Sequence, residues 1–183
     1  MAGHVCPWWY AYTFDNALRR LVHDPEKILA PYVKEAMTVL GTGCGVGFFS
    51  IAMAKLVGSG GRVIAVDVQP QMLKVLKKRA EKAGVSGRIT TVCCGQNELG
   101  AKEKVDFALA FYMVHEVPDK EVFFRQIASC LKPKARLLLA EPWIHVSRSA
   151  FKQTVEAALE AGLSRAGNPG VRFSYTQLFT SRK

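Results

Sequence analysis

The 183-residue chain lacks any apolar run long enough to cross a bilayer. Its longest apolar stretches, such as Ile51 to Ala54 and Leu137 to Ala140, fall far short of the ~20 residues a membrane helix needs. The opening MAGHVCPWWYAYTFDNALRR has no basic start, apolar core and small-residue cleavage site in sequence, so a cytoplasmic protein is expected. CxxC pairs and zinc-type Cys/His spacings are missing. The five cysteines are odd in number and sit mostly in apolar segments, which predicts reduced, largely buried thiols and no metal site. No internal repeat or low-complexity linker interrupts the chain. Acidic residues are few: 15 Asp and Glu against 25 Lys and Arg give a net charge of +10, which by itself suggests an acidic partner such as nucleic acid or a membrane surface.

What the chain does have is apolar content, 49% against 22% charged residues, enough for one well-cored globular domain over residues 1–183 without metal or disulfide. From residue 37 onward, short apolar β-rich runs alternate with helical patterns, the signature of βαβ units and a parallel sheet. Strands are expected at Met37–Leu40, Arg62–Val66, Arg88–Cys93, Val105–Phe111 and Arg136–Glu141. Helices fit at Gly47–Val57, Gln69–Ala83, Lys120–Leu131 and Ser147–Ala161. The tail from Leu163, with Asn-Pro-Gly turn chemistry and a strand-like Arg172–Thr180, reads as a closing hairpin or an added antiparallel strand. Residues 1–36 differ in character: Trp8, Trp9, Tyr10, Tyr12 and Phe14 precede a helical Asn16–His23 and a second helix from Pro25. This segment is expected either to fold over a ligand as a lid or to pack the helical appendage onto the core.

The most informative stretch is MTVLGTGCGVGFFSIAMAKL, where a short strand runs through Gly41, Gly43, Gly45 and Gly47 directly into a helix. Such spacing lets the backbone approach a ligand closely while the helix N-terminus presents unpaired N–H groups. The dinucleotide fingerprint would need glycine at 46 or 48, where Val46 and Phe48 stand, and a P-loop would need Lys after Gly47. What remains is GxGxG followed by RVIAVD, which places Asp67 at the end of the second strand, near the loop. There a carboxylate either accepts hydrogen bonds from two ribose hydroxyls or caps the next helix.

VLGTGCGVG resembles the VLDxGCGxG signature of class I S-adenosylmethionine-dependent methyltransferases, and VDFALAFYMVHEVPDKEVFFRQIASCLKPKARLLLAEP is similar to the fourth-strand, helix and fifth-strand region of their small-molecule, type 11-like members. The resemblance covers about residues 35 to 183. It implies an α/β, Rossmann-like three-layer sandwich with a mostly parallel seven-stranded sheet and one antiparallel closing strand. It further implies S-adenosylmethionine as cofactor and S-adenosylhomocysteine as product. By the same resemblance Gly41, Gly43, Cys44 and Gly45 line the methionine part, Asp67 holds the ribose, and Val68 and Met72 pack the adenine side. Gln96 and Asn97 offer a carbonyl to the adenine amino group, and Phe111 and Tyr112 border the sulfonium and acceptor. Two positions depart from the pattern, since Gly41 and Gln96 stand where the family usually carries acids.

Methyl transfer is a direct displacement, so a base is needed only where the acceptor must lose a proton. His115, beside Glu116, is the candidate, with Tyr112 a second; the alternative for His115 is a pocket-shaping role. The FYMVHEVPD segment lacks the Pro-Pro-Tyr/Phe element of nucleic-acid amino-methyltransferases, which disfavours a nucleic-acid acceptor. The basic excess falls largely on Lys74 to Lys82, a flanking helix whose charge reads as a solvated face. The expectation is therefore a methyltransferase for a small molecule. An RNA or protein methyltransferase, and a non-catalytic S-adenosylmethionine-binding subunit, are the alternatives. The scarcity of late insertions leaves the acceptor to be held by residues 1–36, a partner or a second subunit, and a homodimer is compatible with this.

Overall fold

The computed structural model describes residues 22–181. Within them lie α1 (Pro25–Leu29), β1 (Thr38–Thr42), α2 (Phe48–Leu56), β2 (Arg62–Asp67), α3 (Pro70–Lys82), β3 (Ile89–Cys93), β4 (Val105–Phe111), α4 (Lys120–Cys130), β5 (Leu131–Pro142), α5 (Arg148–Glu160), β6 (Leu163–Gly167) and β7 (Ser174–Ser181). The strands form one seven-stranded sheet in the order β3-β2-β1-β4-β5-β7-β6. All pairings are parallel except those of β7, which runs antiparallel between β5 and β6. The expected sandwich with its antiparallel closing strand is thus observed, and the tail forms a hairpin that inserts β7 next to β5.

The apolar runs that showed no period-two alternation do alternate in space, because both faces are covered by helices. Leu40, Ile64, Ala108, Leu137 and Leu139 face α4 and α5, meeting Phe123, Phe124, Ile127, Val155 and Ala158. Val39, Val63, Phe107, Leu109 and Leu138 face the opposite layer, where α1 and α2 contribute Leu29, Phe49, Ala52 and Met53. Helix α3 covers the same face further out, packing Leu73 and Leu76 on Ala65. Its exposed side carries Lys74, Lys77, Lys78 and Lys82, the solvated basic face expected from the sequence. Capping is local chemistry: Asp24, Asp119 and Ser147 each accept a backbone N–H at the start of α1, α4 and α5.

Several expected boundaries move. Strand β1 runs on through Gly41 and Thr42 because both pair with β2 and β4. Strand β5 begins at Leu131 rather than Arg136: Leu131 pairs with Val105, and a register irregularity, with Lys134 at φ 63°, takes up the Lys-Pro-Lys stretch before regular pairing resumes. The expectation of largely buried thiols fails as well. Among the described cysteines only Cys130 is buried, and Cys93 is exposed because β3 is the sheet edge. The aromatic residues from Trp8 to Phe14, Cys6 and most of the expected helix Asn16–His23 lie outside the described residues. None of the described helices is long and apolar enough to cross a membrane.

Leu138 sits in β5 between β4 and β7 with no exposed surface. Leu138→Ala is expected to lower unfolding free energy by about 3 kcal/mol through lost transfer energy and a residual cavity, measured by denaturant titration.

Candidate active site

Parallel strands deliver their C-terminal ends to one edge of the sheet, and where β1 lies between β2 and β4 the connections leave toward opposite faces. A cavity opens there. Its floor is Thr42, Gly43 and Val66, and one wall is Asp67, Val68 and the loop from Cys94 to Leu99. The other wall is Met113, the turn from Glu116 to Asp119, and Phe123 and Gln126 of α4.

The glycine loop is shaped by what it cannot carry. At Gly43, φ is 56° and a Cβ would lie 2.7 Å from Met113 Cβ; at Gly47, φ is 92° and a Cβ would lie 2.1 Å from Leu76 Cδ1. Side chains at these positions would collide with the cavity wall and with α3, so the backbone itself forms the surface. Gly47 is the residue before α2, whose first turn carries no acid and whose start has no side-chain cap. Gly41 lies one step back inside β1. A Cβ there would come within 2.9 Å of Met53 Cε, so a methionine methyl occupies the start of the space an acidic side chain would use.

Asp67 ties the loop down. One carboxylate oxygen accepts the Gly45 N–H at 2.8 Å and the other accepts the Gln69 N–H at 2.9 Å. Gln69, not Asp67, is the cap residue of α3. Burial pushes the Asp67 carboxyl above its ordinary 3.8, outweighing the opposing hydrogen bonds from Gln69, Gly45 and Val68. Burial also raises the neighbouring thiols, with Asp67's charge adding to it: Cys94 is pushed up to about 11 and Cys44 well above its ordinary value. Both are protonated, weak nucleophiles at neutral pH.

His115 sits in a short turn, Val114–Glu116, directly after β4. Its Nδ1 lies 2.5 Å from Oε2 of Glu141, whose other oxygen accepts the Val114 N–H at 2.7 Å. Glu141 has no exposed surface. Burial lowers the imidazole pKa, but the hydrogen bond and charge of Glu141, helped by Glu116 and opposed by Lys120, outweigh it and leave it above 6.5. Nε2 is 3.9 Å from Glu116 and the His145 ring stacks 6.5 Å away. With Nδ1 held by the buried carboxylate, Nε2 is the nitrogen left to exchange a proton.

Of the residues singled out in the sequence, Gly43, Asp67, Val68, Gln96 and Asn97 come together in the cavity wall. Gly45 reaches it through Asp67. Cys44 joins the loop to β2 by its N–H to the Val66 carbonyl at 2.9 Å, and Met72 is buried in the first turn of α3. Phe111 belongs to the core, its ring 4.3 Å from that of Phe49. Tyr112 turns away at φ 59°, its hydroxyl 2.7 Å from Ser174 Oγ and 3.2 Å from His23 Nε2. Sequence reasoning missed Glu141, although the signal was there: an acid closing the apolar run of β5, as Asp67 closes β2. It also missed Glu98, an acid in the cavity wall two residues after Gln96. Among the described residues no His, Cys, Asp and Glu cluster could hold a metal ion.

A methyltransferase-domain family profile matches residues 33–168, most of the chain, including the glycine loop, Asp67 and His115. The chain belongs to the class I S-adenosylmethionine-dependent methyltransferases. This methyltransferase domain is 33% identical over 125 residues to a ubiquinone biosynthesis O-methyltransferase of Methylobacterium sp. (strain 4-46), covering 67% of this chain and 47% of that protein. It is 33% identical over 142 residues to a ubiquinone/menaquinone biosynthesis C-methyltransferase of Cellvibrio japonicus, covering 77% and 51%. The chain thus spans about half the length of these curated relatives. A crystal structure of a SAM-dependent methyltransferase from Aquifex aeolicus shares the fold, with a TM-score of 0.86 at 23% identity over 96% of this chain and 99% of that one.

The methyltransferase fold makes Asp67 a latch as well as a candidate ligand. Asp67→Ala is expected to weaken S-adenosylhomocysteine binding by about 10- to 100-fold, the range for losing charged hydrogen bonds, measured by calorimetry. Gly43→Ala should abolish binding and lower the melting temperature, since Met113 must be displaced and the backbone strained.

Proposed function

We propose that this domain transfers a methyl group from S-adenosylmethionine to a small-molecule acceptor whose nucleophilic atom must lose a proton, of the phenol or hydroquinone class. When bound, the cofactor supplies an electrophilic methyl on a positively charged sulfur. The residues present suit it. Gly43 and Gly45 let the backbone come close to the methionine portion, Asp67 offers carboxylate oxygens to ribose hydroxyls, and Gln96 and Asn97 carry the acceptor carbonyls an adenine amino group requires. Glu98 stands in the same loop and would supply the acidic character that Gln96 lacks. Leu99, Val117 and Phe123 line the cavity with apolar surface, which excludes water from the reacting atoms.

The observation that carries the acceptor class is the His115–Glu141 pair. A buried carboxylate that orients Nδ1 and stabilises the imidazolium leaves Nε2 to accept a proton from the acceptor as the methyl moves. An amine, nucleophilic through its own lone pair, would not need this. The O- and C-methyltransferase relatives, both named for ubiquinone biosynthesis, support acceptors of this kind. The basic face of α3 lies apart from the cavity lining, which favours a small acceptor over RNA.

The test is transfer of labelled methyl from S-adenosylmethionine to a panel of catechols, hydroquinones and amines. Transfer only to amines, or no cofactor binding at millimolar concentration, would overturn the reading. As a base, His115 must be neutral, so kcat/KM is expected to rise with pH through a midpoint above 6.5. Glu141→Gln removes the stabilising charge and should move that midpoint to lower pH. His115→Gln should reduce kcat by about 10² to 10⁴, the usual reach of general-base catalysis, with cofactor affinity retained. A pH profile and titration calorimetry check all three outcomes.

A further inference from the structure

The loop from Cys94 to Leu99 forms the cavity wall that carries Gln96 and Asn97, yet it has no regular secondary structure of its own beyond a single bridge between Gly95 and Glu98. It is anchored at its start by the Cys94 N–H to the Asp67 carbonyl at 3.1 Å and closed internally by a long Glu98 N–H to Gly95 carbonyl contact of 3.4 Å. Its far half is gripped by one side chain. Gln126 Oε1 accepts the Leu99 N–H at 2.7 Å, and Gln126 Nε2 donates to the Asn97 carbonyl at 2.8 Å.

Gln126 comes from α4, on the opposite side of the cavity from β2. It follows Phe123 by three residues, and both line the cavity while Phe124 and Ile127 are buried in the core. The helix is therefore fixed by its apolar face, and the amide is presented at a fixed height. A primary amide is the side chain that can satisfy a backbone N–H and a backbone C=O two residues apart at once, since it carries donor and acceptor in one plane. A carboxylate would repel the Asn97 carbonyl, and an apolar residue would leave both backbone groups without this partner.

We propose that Gln126 is a positioning residue that sets the loop so that Gln96 and Asn97 discriminate the base of the cofactor. The inference rests on the proposed reading of this loop as the adenine-binding wall. Held by Gln126, the loop presents carbonyl acceptors to an exocyclic amino group; released, it still provides apolar contact but no fixed acceptor. The loss therefore falls on base discrimination more than on overall affinity.

The experiment compares S-adenosylhomocysteine with S-inosylhomocysteine, which carries an oxygen where adenine has its amino group, by titration calorimetry on the full chain. The wild-type protein is expected to prefer the adenosine ligand by about tenfold, the size of one or two hydrogen bonds. In Gln126→Leu the adenosine ligand should weaken by about tenfold and the preference should fall close to one. Gln126→Glu keeps the acceptor for Leu99 but sets an oxygen against the Asn97 carbonyl, and should show the same loss of preference in a protein of nearly unchanged shape. Melting temperature is read alongside, because a purely structural role would lower it without changing the ratio of the two affinities. Wild-type preference retained in Gln126→Glu would overturn Gln126's part alone. A wild-type protein that binds S-adenosylhomocysteine without preferring it would remove the adenine assignment of the loop, and the inference with it.

Discussion

Everything at the ligand edge of this sheet depends on two parallel strands ending side by side with their backbones unable to continue pairing. Thr42 and Val66 are the last partners of β1 and β2, and beyond them Cys44 still bonds to the Val66 carbonyl while Asp67 reaches across to Gly45. That carboxylate replaces the missing ladder. It gives the departing loop a fixed geometry, closes the start of α3 through Gln69, and remains in the cavity wall. Burial makes its charge expensive and pushes its pKa up, and the backbone N–H groups aimed at it oppose that rise.

The same device recurs at the next pair of strands. Glu141 closes β5 as Asp67 closes β2, and it too accepts a backbone N–H from the neighbouring turn, that of Val114. Its second oxygen holds His115. One acid thus fixes the cofactor loop and the other the histidine, so the two halves of the proposed reaction are set by equivalent positions in one sheet. Met113 lies between them: it packs where a Gly43 side chain would stand, and it precedes the turn that carries His115. A change at the glycine loop would therefore be transmitted to the turn of His115 through a single side chain.

Much of the fold was legible because its signals are local. Short β-rich runs between helical patterns, a strand feeding directly into spaced glycines, and an acid at the end of RVIAVD each follow from backbone chemistry over a few residues. The start of β5 was not legible: a Lys-Pro-Lys stretch reads as a loop, and only pairing of Leu131 with Val105 across an irregular register makes it strand. The burial of thiols was misjudged for a similar reason, since the apolar context of Cys93 does not reveal that β3 is an edge.

The sequence by itself determined the class of fold and the glycine loop, and it singled out Asp67 and His115 as candidates for the chemistry. Hydrophobic run length, glycine spacing and side-chain ionisation are properties a chain carries before it folds. Tertiary structure decided their partners. It set Glu141 behind His115 across 26 residues, Asp67 against Gly45 across 22, and Gln126 onto the loop of Asn97 and Leu99 across 29 and 27. It also left Phe111, Tyr112 and His115 itself out of the cavity lining, which this stretch of chain enters through Met113 and Glu116. Proximity along the chain says little once a parallel sheet has brought the ends of distant strands to one edge, because each crossover carries the chain through a helix before it returns.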